Sequence, residues 1–289
     1  MRDLRRLALG LVVAAPFLLG AAAGGAEDGE VAFTFGDSDV IESSGLAVVD
    51  SLVSTTNDSG DSGRVFTVDP DSGRTVGVTS WSGEPVDVEA LAPAGPGRVW
   101  VGDIGDNGAV RDSVEVLRVP VGPGDRVLEG GAAPEAYELV YPDGAHDAEA
   151  LLAHPLTGRL FVVTKGVFAA TVYAAPMRLR PDRPNRLRPV AQAPGLVTDA
   201  TFLPGGGAVV MRTYTSAFVV SFPTWDPVTS WQLPNQDQGE GVAVNGADLL
   251  LSTEGVQSKV LRVPLPDEAR AADLLGSPVW TILSLLPWS

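Results

Sequence analysis

"DVEAL" at residues 87–91 returns as "DAEAL" at residues 147–151, 60 positions later. Alignment on that string brings out three more copies: "ESSGLAVV" from Glu42, "VTDATFLP" from Val197 and "QGEGVAVN" from Gln238. Successive copies start 45, 60, 50 and 41 residues apart. Each opens a short apolar strand, passes a turn such as "AGPG" (94–97) or "HPLTG" (154–158), and enters a second strand. The second strands are LVSTT (52–56), RVWVGD (98–103), RLFVVTK (159–165), AVVMRTY (208–214) and DLLLSTE (248–254). Third strands follow as RVFTVD, VEVLRVPV, TVYAAPM, AFVVSFP and KVLRVPL, and fourth strands as RTVGVTSW, AYELVY, RLRPVAQA and TSWQLP. Val, Phe, Tyr and Leu fill these runs while Gly, Pro and Asp separate them, as short antiparallel strands require. A unit of 40–60 residues made of strands rather than helices is the pattern of a β-propeller, with one unit per blade.

The fifth unit lacks a fourth strand, and "VAFTF" (31–35) belongs to no unit. Placing that early strand on the outside of the last blade closes the ring and leaves no open edge there. The expected fold is therefore an all-β propeller of five four-stranded antiparallel blades closed by its N-terminal strand. A sixth blade would need the tail "SPVWTILSLLPWS" (277–289) to build part of one. The expected organisation is a signal peptide over 1–26, a propeller over 27–266 and an apolar tail over 267–289 that packs as cover.

The signal peptide is read from the basic "MRDLRR", the apolar "LALGLVVAAPFLLG" and the small residues Ala21-Ala22-Ala23, with a cut also available after Ala26. Secretion follows as an expectation. No cysteine occurs anywhere, so export brings neither disulfides nor a lipid-modified cysteine, and the tail is too short for a membrane span. No stable membrane anchor is expected. Cleavage after Ala26 removes three arginines and one aspartate, taking the net charge from −16 to −18. So acidic a chain repels nucleic acid and anionic lipid and attracts cations. The expected partner is a cation or a small polar molecule, met by a monomer.

Innermost propeller strands run beside the central axis, so one motif column lands at one height in every blade. That column reads Ser44, Glu89, Glu149, Asp199, Glu240. At about 6 Å and an effective dielectric near 20, each adjacent ionised pair repels by about 3 kcal/mol. Four such groups would cost on the order of 10 kcal/mol, as much as a whole folding margin. Either a bound cation, with calcium the best fit to a ring of carboxylates, or a network of ion pairs and shared protons must offset them.

The ends of the second strands supply a further column on the same face: Asn57-Asp58, Asp103 with Asp106-Asn107, Lys165, Arg212 with Tyr214, and Glu254. Blades one and two offer oxygens there, and blades three and four offer cations. Lys165 and Lys259 are the two lysines of the chain. The candidate metal ligands are thus Glu89, Glu149, Asp199, Glu240, Asn57, Asp103, Asp106 and Asn107. For catalysis the candidates are Glu149 or Asp103 as base, Lys165 and Arg212 as anion clamps, and His146. His154 falls in a turn at the other end. "FGDSDV" (35–40) and "GDSG" (60–63) imitate hydrolase serine blocks but lack a suitably placed histidine. "DPDSG" (69–73) reads as a plain hairpin turn. The blade-two insertion "GPGDRVLEGGAAPEA" (122–136) is long enough for a lid.

The ordered set "NDSG", "DVEALA…VWVGDIGDN", "DAEAL…LFVVTK", "VTDATF…VMRTY" and "QGEGVAV…STEG" resembles a widespread group of secreted bacterial propeller proteins over residues 41–264. That resemblance implies the fold and the position of the site. A more distant likeness is to the calcium-dependent six-bladed propellers, namely the gluconolactonase/regucalcin, paraoxonase and propeller-phytase families. It implies calcium in the channel at Glu89, Glu149, Asp199, Glu240, Asn57, Asp103 and Asn107, and hydrolysis of a lactone or phosphoester. Five units instead of six, and Lys165 and Arg212 among the oxygen ligands, depart from that pattern. Three functional expectations follow: an acidic axial binding site, a calcium-dependent hydrolase, or an extracellular protein-binding scaffold working through blade-top loops.

Overall fold

Every repeat folds into its own antiparallel sheet. The computed structural model describes residues 29–58 and 60–283, with side chains described as far as residue 276. The expected signal peptide and residues 284–289 lie outside the described residues. After β1 (Glu30–Thr34), blade one is β2 (Ser43–Val49), β3 (Leu52–Asn57), β4 (Arg64–Val68) and β5 (Thr75–Trp81). Blade two is β6 (Val88–Pro93), β7 (Arg98–Asp103), β8 (Val114–Pro120) and, beyond the short β9 (Arg126–Leu128), β10 (Glu135–Val140). Blade three is β11 (Ala148–Ala153), β12 (Leu160–Thr164), β13 (Ala169–Ala174) and, beyond β14 (Asn185–Arg186), β15 (Arg188–Pro194). Blade four is β16 (Val197–Phe202), β17 (Ala208–Thr213), β18 (Ser216–Ser221) and β19 (Pro227–Gln232). Blade five is β20 (Gly239–Asn245), β21 (Asp248–Thr253) and β22 (Lys259–Pro264), with β1 as its outer strand.

The inner strands touch in the closed cycle β2, β6, β11, β16, β20 and back to β2. The ring therefore has five blades, and β1 closes it by pairing antiparallel with β22. The tail makes no sixth blade: Asp267–Leu283 is the helix α1. It lies on the turns of blade four, where the Asp273 carboxylate accepts the Gly205 and Gly207 amides at 2.8 Å each.

The blade-two insertion is not a lid. Its β9 adds parallel to β5 as an extra outer strand of blade one, just as β14 adds parallel to β10 on the rim of blade two. Both insertions cover sheet edges rather than the axis.

Five hydrophobic clusters fill the five seams between blades. The seam of blades three and four is the most aromatic, with Phe161, Phe202, Phe222 and Trp225 in edge-on contact. Removing one such ring should cost about 3–5 kcal/mol. These seams hold the inner strands at fixed spacing, and the spacing of the acids at the axis follows from it.

Candidate functional site

A register irregularity marks the start of every inner strand. It falls between Ser43 and Leu46, Val88 and Ala90, Ala148 and Ala150, Val197 and Asp199, and Gly239 and Val242. Such bulges re-aim a side chain out of the sheet alternation. Glu89 and Glu149 are the bulged residues of blades two and three, and Ser44 and Glu240 sit in the wider bulges of blades one and five. In blade four the bulged residue is Thr198. The hydrogen bonds agree: Ser44 Oγ donates to Glu89 O of the next blade at 2.8 Å, and Thr198 Oγ1 donates to Glu240 O of its next blade at 3.0 Å.

The column at the axis is therefore Ser44, Glu89, Glu149, Thr198, Glu240, and the expectation for Asp199 is corrected. A one-residue offset turns a side chain to the other face of a strand. Asp199 is fully buried, and its two oxygens accept the Ala200 amide at 2.8 Å and the Val242 amide of blade five at 2.7 Å. It staples blades four and five from within the wall.

Several other candidates are likewise engaged with backbone. Asn57 Oδ1 accepts the amides of Ile41 and Glu42, and the Asp103 oxygens accept those of Val86 and Asp87. These two equivalent residues pin the connector entering their blade. Asp103 also takes a 2.8 Å ion pair from Arg111. Asp106 accepts the Val110 and Arg111 amides and so closes its loop, while Asn107 is exposed at the same turn. Arg212 is fully buried and donates to the carbonyls of Gly241 at 2.6 Å and Ser252 at 2.8 Å. A Cβ on Gly239 would lie 2.0 Å from Arg212 Nη2, which is why glycine stands there. Arg212 is a strut between blades rather than an anion clamp. His146, in the connector between blades two and three, bonds Tyr173 Oη of β13 at 3.0 Å and Asp143 at 3.1 Å. His154 is buried in a turn at the opposite end, as expected.

What remains at the axis is unevenly compensated. Glu149 forms a 2.7 Å ion pair with Lys165 Nζ, which also lies 5.7 Å from the Tyr214 ring centre. Glu240 is buried, and its Oε2 has no hydrogen-bond partner among the described residues. On the side of blades one and two, Asp58, Asp87 and Glu89 each bring a carboxylate oxygen within 4.8 Å of the others. Glu89 is 3% exposed and receives one side-chain hydrogen bond, from Ser44 at 3.1 Å. Asp87 Oδ1 is buried without a hydrogen-bond partner among the described residues. A Cβ at position 105 would lie 2.4 Å from Asp87 Oδ2, so Gly105 of "GDIGDN" makes room for this carboxylate.

Asp87 and Asp58 were absent from the set of candidate ligands. The signal for Asp87 was in the opening motif, whose first acid recurs as Asp147. Asp147 serves differently, accepting the Asp106 amide at 2.9 Å.

The acids titrate accordingly. Burial, then the charges of Asp58, Asp147 and Asp103, pushes Asp87 up to about 6. Burial, then Glu149, Asp58 and Asp87, holds Glu89 far above the carboxylate range. Burial lifts Glu149 to about 7 against the pull of Lys165, and burial with the Glu149 charge lifts Glu240 to about 8. Protons or a cation must therefore accompany these carboxylates near neutral pH.

The opposite mouth of the channel has another chemistry. A cavity of about 540 Å³ opens there, lined by Ala47, Leu91, Leu151, Ala200 and Ala243 of the inner strands, with Arg118 and Trp100 at its side. No acidic residue lines this cavity.

Fold and site together define a five-bladed β-propeller with a buried acidic cluster at one end of its axis. No protein-family model and no curated protein sequence matches the chain, so the likeness to secreted bacterial propellers rests on the repeat motifs themselves. Among solved structures, the glutaminyl cyclase of Myxococcus xanthus aligns with a TM-score of 0.50 and 12% identity, over 82% of this chain and 97% of that one. A nidogen/laminin complex aligns with a TM-score of 0.42 and 18% identity, over 76% and 74%. At such identities the first likeness speaks for the fold alone. No described helix is long and apolar enough to cross a membrane.

Proposed function

We propose that this protein is a secreted binding propeller whose axial acids hold a hard divalent cation, calcium by preference, between blades one and two. One observation supports this reading above others: three carboxylates within 4.8 Å of one another, from a loop of blade one and the entry of blade two. Across the channel Lys165 already serves Glu149. A cation at Asp58, Asp87 and Glu89 would offset the charge on this side of the channel. It would also tie "NDSG" of blade one to "DVEAL" of blade two.

All-carboxylate oxygen donors on a loop suit calcium, which tolerates irregular coordination, better than magnesium, which demands near-octahedral geometry. Sites of this kind in extracellular modules bind at about 10⁻⁴–10⁻³ M, and secretion would meet calcium at such levels. The test is metal analysis and calorimetric calcium titration of the chelator-treated protein. Saturable binding of one calcium, with a melting temperature that rises on its addition, is expected. Absence of both binding heat and a melting shift at millimolar calcium would overturn the proposal, and binding unaffected by Asp87→Asn would move the ion elsewhere.

A further inference from the structure

The acidic mouth is ringed by apolar side chains that the fold leaves in solvent. Of the fourteen exposed large hydrophobic residues among those described, seven lie on the loops and connectors of this face. The rest are spread over outer strands, the opposite turns and α1. Single exposed apolar residues need no explanation, but contiguous ones mark contact surfaces.

Here they come in pairs held by hydrogen bonds between loops. Ile41 O accepts the Gly255 amide at 2.8 Å, which sets Ile41 beside Val256. Asp103 pins the Val86 amide while its partner Arg111 adjoins Val110. Gly166 O accepts the Leu196 amide at 2.8 Å, which sets Leu196 beside the Phe168 loop. Phe168 is 74% exposed and Val110 79% exposed. Leu196 stands at φ 59°, a conformation that costs a branched residue about 1–2 kcal/mol. The fold gains little burial from it in return, because Leu196 is 41% exposed.

The charges of this face are one-sided. Arg64, Arg111 and Lys165 are each bridged to a carboxylate. Glu42 and Glu254 directly follow Ile41 and precede Gly255, and burial, then the charges of Asp58 and Glu42, holds Glu254 above its ordinary range. Asp58 adjoins this acid pair, its amide donating to Glu42 O at 3.1 Å.

We infer that this face docks a protein segment carrying a lysine or arginine flanked by apolar side chains. The basic group meets Glu42 and Glu254, and the apolar flanks rest on the Ile41–Val256 and Phe168–Leu196 pairs. Charge complementarity selects the cation, and the pinned loops present the apolar pairs with little ordering left to be done on binding. The groups it invokes, Glu42 and Glu254, are not among the proposed calcium ligands, although Asp58 is their neighbour.

The test is selection from a phage-displayed library of random linear peptides on the intact protein. Enriched peptides are expected to share a Lys or Arg beside aromatic or branched residues. Their synthetic versions should bind about tenfold more weakly to the double variant Phe168→Ser/Leu196→Gly, and likewise to Glu42→Gln/Glu254→Gln. Melting temperatures of both variants should match or exceed that of the parent, since the substituted side chains bear little of the core. Binding should persist in chelator and in Asp87→Asn, which separates this result from any failure of the calcium proposal. No enrichment, enrichment of acidic or purely apolar peptides, or binding indifferent to both variants would overturn the inference. So would a parent dimer in sedimentation that the Phe168→Ser/Leu196→Gly change dissociates, because the face would then serve self-association.

Discussion

Replacing Asp87 by asparagine should change stability with opposite sign in the presence and absence of calcium. In metal-free protein the carboxylate is raised from 3.8 to about 6. Keeping it ionised above that pH therefore costs up to about 3 kcal/mol relative to the unfolded chain, at 1.36 kcal/mol per unit. Asp87 retains partial solvent access, and screening reduces the figure to about 1–2 kcal/mol. Asparagine keeps an acceptor in the same place without the charge. At pH 8 in chelator, Asp87→Asn should raise the melting temperature by about 3–6 °C. With calcium at about a hundred times its dissociation constant, the ion stabilises the parent by about 2.7 kcal/mol. The variant loses a ligand and most of that gain, so its melting temperature should fall below the parent's. Calorimetry or scanning fluorimetry under the two conditions decides the matter. A loss of equal size in both would refute the reasoning, because it would mean that the carboxylate has a fixed protein partner.

The pH dependence follows from the same shifts. Asp87, Glu149 and Glu240 are all raised in the folded state, so the native protein holds more protons than the unfolded one. Metal-free stability should be greatest near pH 4–5 and decline as pH rises through about 6 to 8, measured by urea unfolding, while calcium should flatten that decline. Lys165→Met leaves Glu149 without its 2.7 Å partner; the loss should be about 2–4 kcal/mol at pH 8 and clearly smaller at pH 5.5, where Glu149 can take a proton. Asp199→Asn cannot accept both the Ala200 and Val242 amides through oxygen, so about 1–3 kcal/mol should be lost at low pH in denaturant titrations, and less as pH rises, because burial raises Asp199 well above the ordinary carboxylate range. Asp273→Ala frees the Gly205 and Gly207 amides. It should release α1 to proteolysis at a cost of about 2 kcal/mol while calcium affinity stays unchanged.

Much of the architecture was legible in the chain itself. Strand alternation and turn residues are local, and a unit repeated five times multiplies a weak signal; the tail left a sixth blade open until ring closure settled the count. The closing role of β1 followed from arithmetic alone, since the last unit lacked a strand and "VAFTF" had no unit. The acidity of the axial mouth was legible for the same reason: Glu89, Glu149 and Glu240 keep one place in the repeat.

Tertiary pairing decided which acids are available there. A bulge adds a residue without altering the apparent motif, so Asp199 and Thr198 exchange faces although "VTDATF" aligns well with "DVEALA". Asn57, Asp103 and Asp106 have the composition of a metal site, yet their oxygens are taken by amides that the connectors deliver from elsewhere. Asp58 and Asp87 meet only because two blades close around an axis. A side chain's chemistry is written in the sequence, but whether its lone pairs are already occupied depends on which backbone groups the folded chain carries to it, and register and ring closure settle that.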